Sequence, residues 1–85
     1  MDPYKIVKYP LSTEKSIRLM ESQNRLAFIV DIDADKGVIK NAIEEMFKVK
    51  VDNVKTHVRN GEKRAYVKFS EQNPAIDIAT QMGLM

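Results

Sequence analysis

Two alternating runs carry most of the chemical potential of this chain: Lys55-Thr56-His57-Val58-Arg59 and Arg64-Ala65-Tyr66-Val67-Lys68. On an extended backbone successive side chains point to opposite faces. Lys55, His57 and Arg59 therefore share one face of their strand, and Arg64, Tyr66 and Lys68 share one face of theirs. Lysine and arginine neutralise phosphates and release counterions, and a tyrosine between them can stack on a base or ribose. Other chemistry is poorly provided for. His57 is the single histidine and cysteine is absent, so no histidine pair or thiolate can hold zinc, and no thiol can act as a nucleophile. No serine has a base at short range in the sequence, and there is no glycine-rich phosphate loop. Asp31, Asp33 and Asp35 alternate as hard-cation ligands do, but the glycine and distal glutamate of an EF-hand loop are missing, and helix capping accounts for them. The expectation is a non-enzymatic binding protein without cofactor or metal.

Charge is informative in its distribution rather than its sum. The net charge is +2. Between residues 55 and 68, Lys55, Arg59, Lys63, Arg64 and Lys68 stand against Glu62 alone, whereas residues 70–85 carry Glu71 and Asp77 and no basic side chain. One basic surface on a near-neutral domain fits an anionic partner at one face. Charge alone leaves a solvated strand face equally open, and Tyr66 can also be read as a rim aromatic half-packed under a lysine stem. Ala65-Tyr66-Val67-Lys68-Phe69 loosely matches the second half of the RNA-recognition-motif signature. Glu62-Lys63-Arg64 lacks the glycine and aromatic of the first half, so the chain is not assigned to that class.

These residues need elements to position them. Eighty-five residues make a single domain, 1–85. The N-terminal MDPYKIVKYPLS has no apolar core of a signal peptide, and no apolar run approaches a membrane span. Residues 4–8 read as a short strand stopped by Pro10. A helix over 12–21 is capped by Ser12 or Thr13, with Glu14 in its first turn and Ile17, Leu19 and Met20 on its apolar side. Arg25–Ile32 reads as a central strand apolar on both faces, with Leu26, Phe28, Val30 and Ile32 on one of them. Asp33 caps the next helix, with Asp35 in its first turn; Val38, Ile39, Ala42, Ile43, Met46 and Phe47 form its stripe, Lys36 and Lys40 share another face, and Glu44-Glu45 is a solvated one. A strand over 49–59 turns Val51, Val54, Thr56 and Val58 inward. Asn60-Gly61 then marks a tight hairpin into a strand over 62–69. Asn73-Pro74 opens a last helix, cap then first-turn proline, buried through Ala75, Ile76, Ala79 and Met82 and closed by Gly83-Leu84 as a left-handed cap. The order β-α-β-α-β-β-α predicts an α+β fold: a split β-α-β, ferredoxin-like α/β plait with a four-stranded, mostly antiparallel sheet and a right-handed crossover. The middle helix should cover one sheet face and leave the basic face on the other.

Five segments in register carry a family resemblance. Tyr9-Pro10-Leu11-Ser12-Thr13-Glu14-Lys15-Ser16 resembles the P-x-x-T-E-K-S opening of large-subunit ribosomal protein L23. Lys36–Glu44 resembles that family's K-x-x-I-K-x-A-(V/I)-E helix, Val49–Thr56 its V-x-V-x-x-V-N-T strand, Gly61–Val67 its G-E-K-K-A-Y-V arm, and Ala75–Gly83 its closing A-x-D-x-A helix. The resemblance spans nearly the whole chain. Lys55 departs from it, standing where the family usually has asparagine, and its charge suits a phosphate contact there. The tight Asn60-Gly61 turn replaces the long basic loop of bacterial members, and the long basic N-terminal extension of eukaryotic members is not seen. The chain is therefore similar to the archaeal type.

The resemblance implies a cytoplasmic protein of the large ribosomal subunit that binds large-subunit ribosomal RNA beside the polypeptide exit tunnel. It also implies a neighbour of the L29 family on the exit rim, and a docking surface for the signal recognition particle and other nascent-chain factors. No small-molecule substrate is implied. Joined to the basic face, it makes Lys15, Lys36, Lys40, Lys55, His57, Arg59, Asn60, Lys63, Arg64, Tyr66 and Lys68 candidates for RNA contact, and Thr13 and Glu14 candidates for factor docking. Two rival classes, an acylphosphatase-like hydrolase and a small-ligand regulatory module, need an anion-cradling loop after the first strand or a dimeric pocket. Arg25-Leu26-Ala27 lies inside a strand instead.

Overall fold

The computed structural model describes residues 3–11 and 13–82, without the side chains of Pro3, Tyr4, Glu14 and Ser16. The proposed Ser12 cap, the Glu14 side chain and the Gly83-Leu84 cap lie outside the described residues. The elements are α1 (Pro3–Ile6), β1 (Val7–Pro10), α2 (Glu14–Gln23), β2 (Arg25–Val30), α3 (Lys36–Phe47), β3 (Val51–Arg59), β4 (Glu62–Phe69) and α4 (Ala75–Gln81). The four strands form one sheet in the order β1-β2-β4-β3, and every neighbouring pair is antiparallel. β2, α3 and β3 make the β-α-β, with β4 inserted between its strands. The strand on the other side of β2 is β1, from the N-terminal side of the chain.

The first element differs from the sequence reading. Residues 3–6 are one helical turn, and the strand is displaced to Val7–Pro10. A proline at the first helical position has a φ already suited to the turn. Pro10 does not stop the strand: it pairs with Phe28, and Leu11 N still donates to Ala27 O at 2.9 Å. β1 is an edge strand, where a missing N–H is tolerated.

The apolar periods build the core as their spacing dictates. Ile39, Ala42 and Ile43 of α3 pack with Leu26, Phe28 and Val30 of β2, Val51 and Val54 of β3, and Ala65, Val67 and Phe69 of β4. Burying each of the larger side chains contributes about 1.5–3 kcal/mol. β2 is buried on both faces over Leu26–Val30, as its continuous apolar run requires. Ile32 is not part of it: Ala34 N donates to Asp31 O and Asp33 N to Asp31 Oδ1, both at 3.0 Å, so the chain is already turning and Ile32 is exposed.

The caps also move. Asp35, not Asp33, caps α3, accepting from Val38 N at 2.9 Å. Asp33 is part of the preceding turn. Glu44 is not a solvated side chain; its Oε2 accepts from Val51 N at 3.1 Å and anchors the start of β3. In α4, Ala75, Ile78 and Ala79 are the buried positions, whereas Ile76 is exposed. Pro74 stands at the cap position without a side-chain bond. The cap comes from a distance: Asn24 Oδ1 accepts from Ala75 N at 2.6 Å, while Asn73 Oδ1 accepts from Lys50 N.

In β3 the pairing shifts between Val51 and Asn53. That irregularity lets Val51 and Val54 share the core face although they are three apart, because a bulge changes the parity of the residues beyond it. Past Thr56 the core face runs out, and Val58 is 53% exposed.

Candidate nucleic-acid interface

The face of the sheet away from α3 is built by register. β3 and β4 are joined through Asn60 (φ 53°) and Gly61 (φ 74°). Two consecutive positive φ values are what a two-residue I′ hairpin turn needs, which is why Asn-Gly stands there. The turn sets His57 opposite Arg64, Lys55 opposite Tyr66, Asn53 opposite Lys68 and Arg59 opposite Glu62. On the other side of β4, Arg25 pairs with Lys68, Ala27 with Tyr66 and Ile29 with Arg64, and Tyr9 of β1 pairs with Ile29. Directly paired residues share a face. The face therefore reads in rows: Arg59–Glu62; His57–Arg64–Ile29–Tyr9; Lys55–Tyr66–Ala27; and Asn53–Lys68–Arg25. Neighbours are about 5 Å apart across strands and about 7 Å apart along them.

Lys55, His57, Arg59 and Lys68 are exposed, and Arg64 and Tyr66 are half-buried. The acid in the rows is Glu62, whose Oε1 lies 3.8 Å from Arg64 Nε with both side chains 43% exposed. An ion pair that open to water is weak, and it leaves the face basic. α2 reaches the same face: Lys15 and Leu19 border a notch of about 30 Å³ with Ala27, Arg64 and Tyr66.

The sequence-derived candidates thus separate into groups. Lys55, His57, Arg59, Arg64, Tyr66 and Lys68 come together, with Lys15 at the margin and Asn60 in the turn. Lys36 and Lys40 are exposed on α3, the helix that covers the opposite face, and are not part of this surface. Lys63 has the parity of Ala65 and Val67. Its ammonium donates to Ala34 O at 2.6 Å and Ile32 O at 3.4 Å, tying the hairpin to the loop before α3. Thr13 is exposed ahead of α2, and its carbonyl accepts from Ile17 N.

Two residues of the face were not among the candidates. Arg25 pairs with Lys68, and its Nε is buried with no hydrogen-bond partner. Tyr9 is 50% exposed in the row of Arg64. Both lie on strands whose neighbours are distant in sequence, so local alternation could not assign them to this surface.

The arrangement can neutralise several phosphates at once and offer aromatic faces. Among the described residues no group of three His, Cys, Asp or Glu side chains could hold a metal ion, and no helix is long and apolar enough to cross a membrane. A family model described as Ribosomal protein L23 matches residues 5–80.

Proposed function

Because the chain belongs to the ribosomal protein L23 family, structural components of the large ribosomal subunit, we propose that its basic sheet face, away from α3, is the surface that binds large-subunit ribosomal RNA. The observation that carries this is the register, which lines up Lys55, His57, Arg59, Arg64 and Lys68 around Tyr66 on adjacent strands. Arg25 joins them in the row of Lys68. Recognition is then mostly of backbone and shape, since lysine and arginine dominate and side chains suited to base edges are few.

The remaining family features belong to the same proposal. The protein sits beside the exit tunnel next to a protein of the L29 family, and the Thr13–Glu14 start of α2 contributes to docking of the signal recognition particle. The two-residue turn at Asn60-Gly61 supports the archaeal type, since bacterial members resemble this chain but carry a long loop there. Lys36 and Lys40 form a separate contact if they meet RNA, and Lys63 serves the fold.

The test is a salt series of binding to full-length large-subunit ribosomal RNA against excess unrelated transfer RNA. Wild type is expected to resist the competitor. Arg64→Ala/Lys68→Ala should bind more weakly, with the slope of log K against log salt reduced by about two, while the domain stays folded. Unchanged affinity and slope in the double variant would remove this face from RNA binding. Glu14→Ala should leave RNA binding intact and weaken signal recognition particle docking to assembled ribosomes; equal docking would remove Glu14 from that role.

A further inference from the structure

The same face carries two aromatics that phosphate binding does not require. Tyr66 is on central strand β4 and Tyr9 on edge strand β1, both on the face away from α3 by their pairing with Ala27 and Ile29, which are themselves buried. From the strand spacing their Cα atoms are about 12 Å apart, one row and two strands. Arg64 lies between them, two residues from Tyr66 along β4 and in the row of Tyr9.

The surroundings of each ring matter. Beside Tyr66, Ala27 supplies only a methyl group, and a notch bordered by Lys15 and Leu19 opens next to the ring. At about 30 Å³ it cannot take in a base, so a base would lie across the ring rather than enter. Tyr9 is 50% exposed at the sheet edge, on an apolar base of Ile29. A half-buried Tyr66 among Lys55, Arg64 and Lys68, and a half-exposed Tyr9 in the row of Arg64, leave part of each ring outside the core. That placement is well explained by bases, because every base has a π-face and its phosphate needs a cation nearby.

We propose that, resting on the RNA-binding reading above, this face engages unpaired nucleotides of the RNA rather than a continuous duplex. One base stacks on Tyr66 and another on Tyr9, and Arg64 holds phosphate between them with Lys15 at the margin. A regular A-form duplex keeps its bases stacked inside and offers only backbone and groove to such a surface, whereas loops and bulges can splay bases onto aromatic rings. Ala27 beside Tyr66 provides no second ring on the adjacent central strand, so stacking is limited to one base at each tyrosine.

The test compares wild type with Tyr66→Leu, Tyr66→Phe, Tyr9→Leu and Tyr9→Phe. The probes are the full-length large-subunit ribosomal RNA transcript and a fully paired RNA duplex. Each leucine variant should lose about 5- to 150-fold in affinity for the transcript at an unchanged salt slope, since no cation is removed. The phenylalanine variants should bind like wild type, and the duplex should not distinguish any of them. Zero-length ultraviolet cross-linking of the wild-type complex should join peptides containing Tyr66 and Tyr9 to unpaired nucleotides. Wild-type affinity in the Tyr9→Leu variant, or cross-links to paired nucleotides only, would overturn the proposal. If that occurred while Arg64→Ala/Lys68→Ala still bound weakly, stacking would be wrong and RNA binding by the face would stand. If all variants bound like wild type, the face itself would be wrong.

Discussion

Replacing Asn24 with alanine tests the joint that holds the C-terminal part of the fold. The Asn24 amide nitrogen lies within hydrogen-bond distance of Phe69 O (3.1 Å), Ser70 O (3.2 Å) and Asn73 O (3.3 Å). Its Oδ1 accepts from Ala75 N at 2.6 Å. The two amide hydrogens can serve at most two of the three carbonyls at once. Losing a helix cap costs about 1 kcal/mol, and two net amide hydrogen bonds about 1 kcal/mol each, so Asn24→Ala should cost about 3 kcal/mol. With a urea m-value of about 1–1.5 kcal/mol/M for a domain this small, the unfolding midpoint should fall by about 2–3 M. Asn24 also has φ 56°, a conformation costing about 1 kcal/mol for a residue with a Cβ. Asn24→Gly should therefore fall between wild type and Asn24→Ala. Asn24→Asp separates the two halves of the joint. It keeps the acceptor for Ala75 N but turns a carboxylate toward three carbonyl oxygens, which disfavours the charged form. The folded-state pKa of that new carboxyl is then raised above its unfolded value of about 3.9. Relative to wild type, the variant should be least destabilised below about pH 4 and should lose stability as pH rises through the raised value. A wild-type midpoint for Asn24→Ala, or a pH-independent gap between Asn24→Asp and wild type, would refute this account of the joint.

Two further outcomes bear on Lys63 and the α3 cap. Lys63→Met should lower stability by about 1–1.5 kcal/mol, through its bonds to Ala34 O and Ile32 O, and leave RNA affinity and salt slope unchanged; a reduced slope by filter binding would return Lys63 to the RNA face. Asp35→Ala should cost about 1 kcal/mol in urea unfolding, as loss of the α3 cap, whereas Asp33→Ala should cost clearly less; the reverse order would restore the cap to Asp33.

The strands and helices were legible where one local period dominated. Val38, Ile39, Ala42 and Ile43 announce α3, the unbroken apolar run announces a doubly covered β2, and Asn60-Gly61 with its flanking alternation announces the hairpin. That hairpin also made half of the candidate face legible, because a two-residue turn sets the register of its own strands. The parity that turns Arg64, Tyr66 and Lys68 outward also turns Lys63 inward; only its charge made it a candidate. Helix starts were less legible, since Asp31, Asp33 and Asp35 can each cap and the turn geometry chooses among them.

By itself, then, the sequence determined the element types from α2 onward, the split β-α-β order and the basic character of one sheet face, because each depends on neighbours a few residues apart. Only the tertiary structure decided that β1 lies against β2, bringing Tyr9 into the row of Arg64, and that Arg25 lies beside Lys68. It alone decided that Asn24 caps a helix 51 residues away, and that Lys36 and Lys40 are separated from the face by the sheet. Such placements depend on which distant segments bury their apolar faces together, and no local period encodes that choice.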